Sequence, residues 1–427
     1  MIDLPDRAGE TVPSGRKLDH MLGTTDVSTG PTPATSLSRV TGDGAGRVVK
    51  FHAPEIVFGV GSTGEVAHAV ARLGGRRPFL VTDVGLVETG WVDEIARDLR
   101  SAGLDPVVWS EPTPNPKDHE IEAGADVYRD RGCDVLVAVG GGSVMDAAKG
   151  VAILAANDGR ILDYEGVDRV AAPIPPLVMV PTTAGTGADV SQFCIVTDTG
   201  RGTKITILGR SLVPDITVID PRLLTTMPEW LSAATGLDAL THGIEAFVSL
   251  AHNPLTDDHA LRAVTLVIGT LARTIDDPTS LPMRTVMAQA SLEGGLAFTN
   301  AILGAAHAMS HQVGGLLDLP HGVINGILLP HVIRFNADAD GSPYVPVARQ
   351  LGLDEARGSA REAALAVADR GETLARQVGV PRSLGIIGVR EEDVDRLAGF
   401  ALRDACMATN PRPVTHADVA ALFRQAL

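Results

Sequence analysis

Five polar side chains stand in the least polar stretches of the second half of the chain, at intervals that bring them together. Asp238 and His242 are four residues apart in ATGLDALTHGIEAFVSL, so one helix face carries both. His307 and His311 repeat the interval in ILGAAHAMSHQVGG, and His321 follows after LLDLP. Imidazoles and carboxylates buried among Ala, Gly and Leu need partners, and a divalent cation satisfies them collectively. A lone histidine is more simply a satisfied core or surface residue. That plain reading holds for His20, His52, His68, His119, His252, His259, His331 and His416.

Two glycine-rich stretches compete for a dinucleotide. Gly59-Val-Gly61-Ser-Thr-Gly64 follows EIVF and has Asp83 about 20 residues on, which formally meets the Rossmann fingerprint. Gly140-Gly141-Gly142-Ser143 follows VLVAV and opens a helix. The second is favoured, because a continuously apolar strand belongs in the middle of a sheet, where ligands bind at strand carboxyl ends. A helix N-terminus there offers N–H donors and a positive dipole end to a pyrophosphate. Asp83 ends PFLVTD. It suits a ribose diol and repels a 2′-phosphate, favouring NAD over NADP, but a helix N-cap or turn role explains it equally well. Pro181–Gly187 adds a polar lip of hydroxyls, and Lys204 in TKITIL is placed to reach a cofactor oxygen.

The elements that must position these residues fall into two halves. Up to about Asp220, β-rich runs (78–83, 106–110, 134–143, 176–183, 216–220) alternate with helix-like segments at 64–73, 92–102 and 118–131. That alternation predicts an α/β domain with a parallel sheet covered on both faces. EIVF has the half-polar look of an edge strand. After Met227, helical spacing takes over at 230–250, 257–275, 281–299 and 391–407, and 336–343 is a polar loop. The expected domains are an extension over 1–45, a dinucleotide-binding α/β domain over 46–228 and an all-α metal-binding domain over 229–427. The Gly-, Ser-, Thr- and Pro-rich extension is expected to be mobile.

The chain has 427 residues, 44% hydrophobic and 21% charged, with a formal charge of −16, and its pI is near 5.1. That balance disfavours nucleic acid, and an anionic cofactor must be held by backbone N–H groups and local dipoles. Cys133, Cys194 and Cys406 are too scattered for a disulfide framework or zinc knuckle. No run is long enough for a membrane helix and the N-terminus lacks an apolar signal core, so a cytoplasmic protein is expected, as a homodimer or higher homo-oligomer.

GGGSVMDAAK (140–149), PTTAGTGADV (181–190), GLDALTHGIEAFVS (236–249) and HAMSHQVGGLLDLPHGVINGILLP (307–330) resemble the iron-containing, or group III, alcohol dehydrogenases. The match runs from about Phe51 to the C-terminus and includes NPRPVT (410–415). The resemblance implies a Rossmann-like domain, a helical domain and a cleft between them, the fold shared with dehydroquinate synthase. It implies metal ligation by Asp238, His242, His307 and His321, with His311 near the nicotinamide and substrate rather than on the metal. Gly141, Gly142, Ser143 and Asp146 fall on the pyrophosphate-binding turn, Thr182, Thr183, Thr186, Ser191 and Lys204 along the cofactor, and Asp83 at the adenosine ribose. Two features depart from the pattern: the N-terminal extension, and Asp189 where many members have Glu.

The implied reaction is hydride transfer between a nicotinamide and a short alcohol or aldehyde held at the metal. A bound cation lowers an oxygen's pKa from ~16 to ~7, up to about 12 kcal/mol of differential stabilisation. His307, as a ligand, and His311, as a proton relay, are the catalytic candidates. Three imidazoles and a carboxylate suit Fe²⁺ or Zn²⁺; the family favours iron, and the residues do not choose. Short primary alcohols, hydroxy acids, lactaldehyde-like diols and phosphonate aldehydes all fall within the resemblance. The competing readings are a metal-independent maleylacetate reductase-like enzyme, a lyase of the dehydroquinate-synthase type, and a non-catalytic regulatory protein. The intact Asp/His set opposes the first and last, and no basic phosphate-binding residues in the helical half support the lyase.

Overall fold

A computed structural model describes residues 50–427; the extension expected over 1–45 lies outside the described residues. The strands are β1 (Glu55–Phe58), β2 (Pro78–Val81), β3 (Val107–Trp109), β4 (Val135–Gly140), β5 (Gly166–Val167), β6 (Leu177–Pro181), β7 (Phe193–Asp198), β8 (Thr203–Leu208) and β9 (Ile216–Ile219). Between them run helices α1 (Val66–Arg72), α2 (Val84–Val87), α3 (Trp91–Ser101), α4 (Asp118–Asp130) and α5 (Gly142–Ala156).

Six strands form one parallel sheet in the order β1-β9-β6-β4-β2-β3. The period-2 geometry of a strand sorts its side chains to opposite faces. Leu136 and Ala138 of β4 join Phe79 and Val81 of β2 in a core with α4 and α5. Val135, Val137 and Val139, with Leu80, face a separate core with α1 and α3. All six residues of β4 are buried, as the continuous apolar run requires, and β1 lies at an edge, as its half-polar sequence suggested.

A smaller sheet has no counterpart among the strands expected from the sequence. β7 and β8 form an antiparallel hairpin, with β5 alongside β8. The hairpin carries Lys204 out to the carboxyl end of the main sheet, where α5 begins.

Beyond Ile219 the described residues contain no strand. The helices there are α6 (Glu229–Val248), α7 (Pro254–Asp276), α8 (Leu281–Ala301), α9 (Ala305–Leu317), α10 (His321–Ala337), α11 (Val345–Gln350), α12 (Ala360–Gln377), α13 (Glu391–Ala401) and α14 (His416–Ala426). α6 is buried all round from Ser232 to Val248, the condition of a helix at the centre of a bundle. The expected polar loop at 336–343 starts later: Asn336 is inside α10, buried, and donates from Nδ2 to the Tyr344 hydroxyl at 3.1 Å. No helix among the described residues is long and apolar enough to cross a membrane.

Candidate metal centre and cofactor cleft

α6, α9 and α10 bring the five polar residues together. Asp238 and His242 project from one face of α6, His307 and His311 from α9, and His321 opens α10. His307 Nε2 lies 3.5 Å from Asp238 Oδ1, and His242 Nε2 lies 3.9 Å from the same oxygen. One ligand atom each of Asp238, His307 and His321 falls within 4.8 Å of the others. The ring centroid of His307 is 4.7 Å from that of His242 and 5.1 Å from that of His321.

Each of these three rings is tied back through Nδ1. His242 Nδ1 donates to the Gly185 carbonyl at 3.1 Å, and His307 Nδ1 donates to Glu245 Oε2 at 2.6 Å. His321 Nδ1 meets Ser310 Oγ at 2.8 Å, and that hydroxyl also donates to the His321 carbonyl at 3.4 Å. Nδ1 is therefore taken on each ring, which leaves Nε2 to the cluster. His321 Nε2 is buried with no hydrogen-bond partner, which a polar atom does not tolerate without a reason. Asn325 Nδ2 bridges Asp238 Oδ1 (2.8 Å) and His307 Nε2 (3.1 Å). An orphaned imidazole nitrogen beside a carboxylate and two more imidazoles is a donor set that fits a divalent cation.

The electrostatics agree. Burial alone would raise the Asp238 carboxyl, but His242, the His307 hydrogen bond and His321 outweigh it and hold it below the ordinary range. Burial lowers His242 to about 4 and drives His321 well down. Around neutrality these two rings are neutral and the carboxylate ionised, the forms that ligate. For His307 burial also opposes charge, but hydrogen bonds to Asp238 and Glu245 prevail and push it up to about 9. A cation would take that proton's place.

His311 stands apart from this group. Its Nδ1 donates to Asp404 Oδ2 at 2.8 Å, and its ring stacks on His321 at 4.9 Å. With Asp404 and Cys406 it forms a second grouping, whose ligand atoms lie within 4.8 Å of one another. Burial pushes the Cys406 thiol well up, so it stays protonated.

The cluster opens onto a cleft of about 150 Å³, mostly apolar in its lining with a few convergent polar groups, as small-molecule sites are. Its other wall carries Gly142, Ser143, Asp146, Thr186, Ser191 and Lys204. α5 starts there without a side-chain cap or an acidic residue in its first turn, so its N–H groups and positive pole remain available to an anion. A Cβ on Gly142 would lie 3.0 Å from Thr186 Cγ2, so glycine leaves the backbone bare at that lip. Burial lowers Lys204 to about 8, against the pull of Asp146 and Asp318, and raises Asp146 to about 7. Both residues are only half-buried where they border the cleft.

Four expected cofactor residues do not line the cleft: Asp83, Gly141, Thr182 and Thr183. Gly141 is the N-cap of α5, and Thr183 packs beside it. The Thr182 N–H donates to the Gly140 carbonyl at 3.0 Å. Asp83 caps α2, its Oδ1 accepting from Leu86 N at 2.9 Å. The helix-cap role left open in the sequence is real, and Oδ2 remains for another partner.

The competing glycine turn is already filled. The Asp220 carboxylate, fully buried at the end of β9, accepts from Thr63 N (3.3 Å) and Thr63 Oγ1 (3.0 Å). It takes up donors that a phosphate would need, and Arg222 pairs with it at 2.8 Å.

Several site residues were missed in the sequence. Asn115 lines the cleft, accepts from Lys204 Nζ at 2.7 Å and pairs through Nδ2 with Asp318. Lys149 is fully buried; its ammonium donates to the Ala188, Ser191 and Phe193 carbonyls at 2.8, 2.7 and 2.9 Å. It thereby fixes the turn that carries Ser191. Phe193, Phe298 and Leu303 form an apolar wall beside the histidines, with Phe298 stacked on His242 at 4.4 Å. Glu245 follows Asp238 and His242 at the i+7 position of the same face, a legible spacing. Asp404 lies 93 residues from His311 and had no local signal.

Comparison with known proteins agrees with the geometry. The family model for iron-containing alcohol dehydrogenase matches residues 53–221, and the model for the C-terminal part of the Fe-containing alcohol dehydrogenase family matches 232–427. A 1,3-propanediol dehydrogenase from Citrobacter freundii is 39% identical over 383 residues, covering 89% of this chain and 99% of the relative. An NAD-dependent methanol dehydrogenase from Bacillus methanolicus is 37% identical over 377 residues, covering 88% and 99%. The crystal structure of a 1,3-propanediol oxidoreductase superposes with a TM-score of 0.86 at 39% identity, covering 89% of this chain and 100% of that one. The paired models, the full-length relatives and the shared fold establish that this chain belongs to the iron-containing alcohol dehydrogenase family and is an oxidoreductase acting on CH–OH groups.

Proposed function

We propose that the protein interconverts a short alcohol and its aldehyde with NAD(H), using one divalent cation held by Asp238, His242, His307 and His321. The observation that carries this reading is the set of three imidazoles tied back through Nδ1 around one buried carboxylate. When bound, the cation supplies Lewis acidity to the reacting C–O group and the nicotinamide carries the hydride.

The chain's own residues supply the rest. The α5 N-terminus at Gly142 and Ser143 and the Lys204 ammonium receive the pyrophosphate. Asp83 Oδ2 accepts from the adenosine ribose, which favours NAD. Phe193, Phe298 and Leu303 keep water from the reacting carbon. His311 passes the proton between substrate and solvent, and Asp404 holds its Nδ1 so that Nε2 does the exchange. The relatives named for propanediol and methanol support a short substrate. Iron is the favoured cation and zinc the alternative. The cofactor part is taken as 46–228 and the metal part as 229–427; β9 ends at Ile219 and α6 begins at Glu229, on either side of that boundary. Three free, buried cysteines support a reducing, cytoplasmic setting.

The test is oxidation of NADH with a panel of short aldehydes by protein stripped of metal and reloaded with Fe²⁺ or Zn²⁺. Metal-dependent turnover is expected. Equal turnover in stripped protein would favour a maleylacetate reductase-like enzyme, and none under any loading a regulatory protein.

A further inference from the structure

α6 does more than carry two candidate ligands. Glu245 lies three residues after His242 and seven after Asp238 on the same face, 3% exposed. Its carboxylate reaches across to the start of α9. Oε1 accepts from Ala306 N at 2.7 Å, and Oε2 accepts from His307 N at 3.3 Å and His307 Nδ1 at 2.6 Å. The N-cap of α9 is Gly304, which offers no side chain to the first N–H groups of the helix. Glu245 caps that helix from outside, where a negative charge is favoured. The space is reserved for it: a Cβ on Gly304 would come within 2.8 Å of Glu245 Oε1. No Lys or Arg forms an ion pair with Glu245 among the described residues. Its charge is spent on the helix end and one imidazole.

We infer that Glu245 is a positioning residue of the metal centre, fixing the His307 tautomer and ring so that Nε2 is the ligating atom and raising its donor strength. The inference rests on the metal reading above. It makes α6 the spine of the centre: two ligands and the clamp on a third project from one stripe.

The experiment is the affinity of the stripped, full-length protein for Zn²⁺, by competition with a fluorescent chelator, for wild type, Glu245→Gln and Gly304→Ala. Glutamine keeps the shape and an oxygen for the α9 N–H groups but loses the charge. Alanine at 304 displaces the carboxylate from the other side. Both variants are expected to bind Zn²⁺ roughly 10- to 100-fold more weakly, with NADH affinity close to wild type and melting of the metal-free protein lowered by the weakened α9 cap. A purely structural cap would lower melting to the same extent and leave Zn²⁺ affinity within about threefold of wild type. Wild type that binds, with both variants within about threefold of it, would overturn this proposal alone. Wild type that binds no Zn²⁺ would overturn the metal reading and this inference with it.

Discussion

Raising the pH should weaken NADH binding through Lys204. Its Nζ is steered by Asn115 Oδ1 at 2.7 Å, and burial brings its pKa to about 8. Below that value it is an ammonium facing an anionic cofactor; above it the charge is gone. The apparent dissociation constant then grows as 1 + 10^(pH − pKa), so affinity falls about tenfold between about pH 7 and about pH 9. Lys204→Met should lose a charge-assisted hydrogen bond of about 1.5–3 kcal/mol, roughly 10- to 150-fold, at about pH 7. The variant should also lose the step near pH 8. Asp146 borders the same cleft and ionises near pH 7, raised by burial. It weakens binding in the same direction, so any slope left in Lys204→Met should centre near Asp146's value. The assay is NADH fluorescence titration of metal-free protein across pH. Wild-type affinity that is flat from about pH 7 to about pH 9, or a Lys204→Met variant that binds as tightly as wild type, would show that no Lys204 ammonium holds the cofactor.

Asp83→Gly should relax the preference for NAD over NADP in kcat/KM; unchanged discrimination would leave Asp83 with its helix cap alone. Asp404→Asn should lower kcat about 10- to 100-fold while bound metal stays stoichiometric; metal loss would instead assign Asp404 to the centre itself. Asp146→Asn should stabilise the cofactor-free protein at alkaline pH. A carboxyl whose folded pKa is raised from 3.8 to about 7 costs stability that is absent below the unfolded value and complete above the folded one. The shift bounds the gain near about 4 kcal/mol, and water in the open cleft reduces it to roughly 1–2 kcal/mol. Melting curves at about pH 4 and about pH 8 check it: equal shifts at both would exclude the charge as the cause.

Much of the fold was legible because burial leaves periodic marks. VLVAV announces a strand covered on both faces, and β4 is central with every residue buried. The β7–β8 hairpin was legible in principle, since TKITIL alternates across a Gly-containing turn, but its neighbours Thr197 and Asp198 diluted the pattern. The two i, i+4 pairs located the histidine cluster, and the same arithmetic extended by one turn reaches Glu245. Asp404 and Asn115 meet the site only through tertiary packing, so no interval in the chain encodes them. The two glycine turns differ by something no local motif states: one faces an open cleft, and the other is closed by Asp220, 157 residues away from Thr63.

The most direct measurement is anomalous diffraction at the iron or zinc edge from crystals of the loaded protein with NAD. One peak is expected, about 2.0–2.2 Å from an Asp238 oxygen and from Nε2 of His242, His307 and His321. A peak seated instead between His311, Asp404 and Cys406 would contradict the account, as would none in protein that turns over.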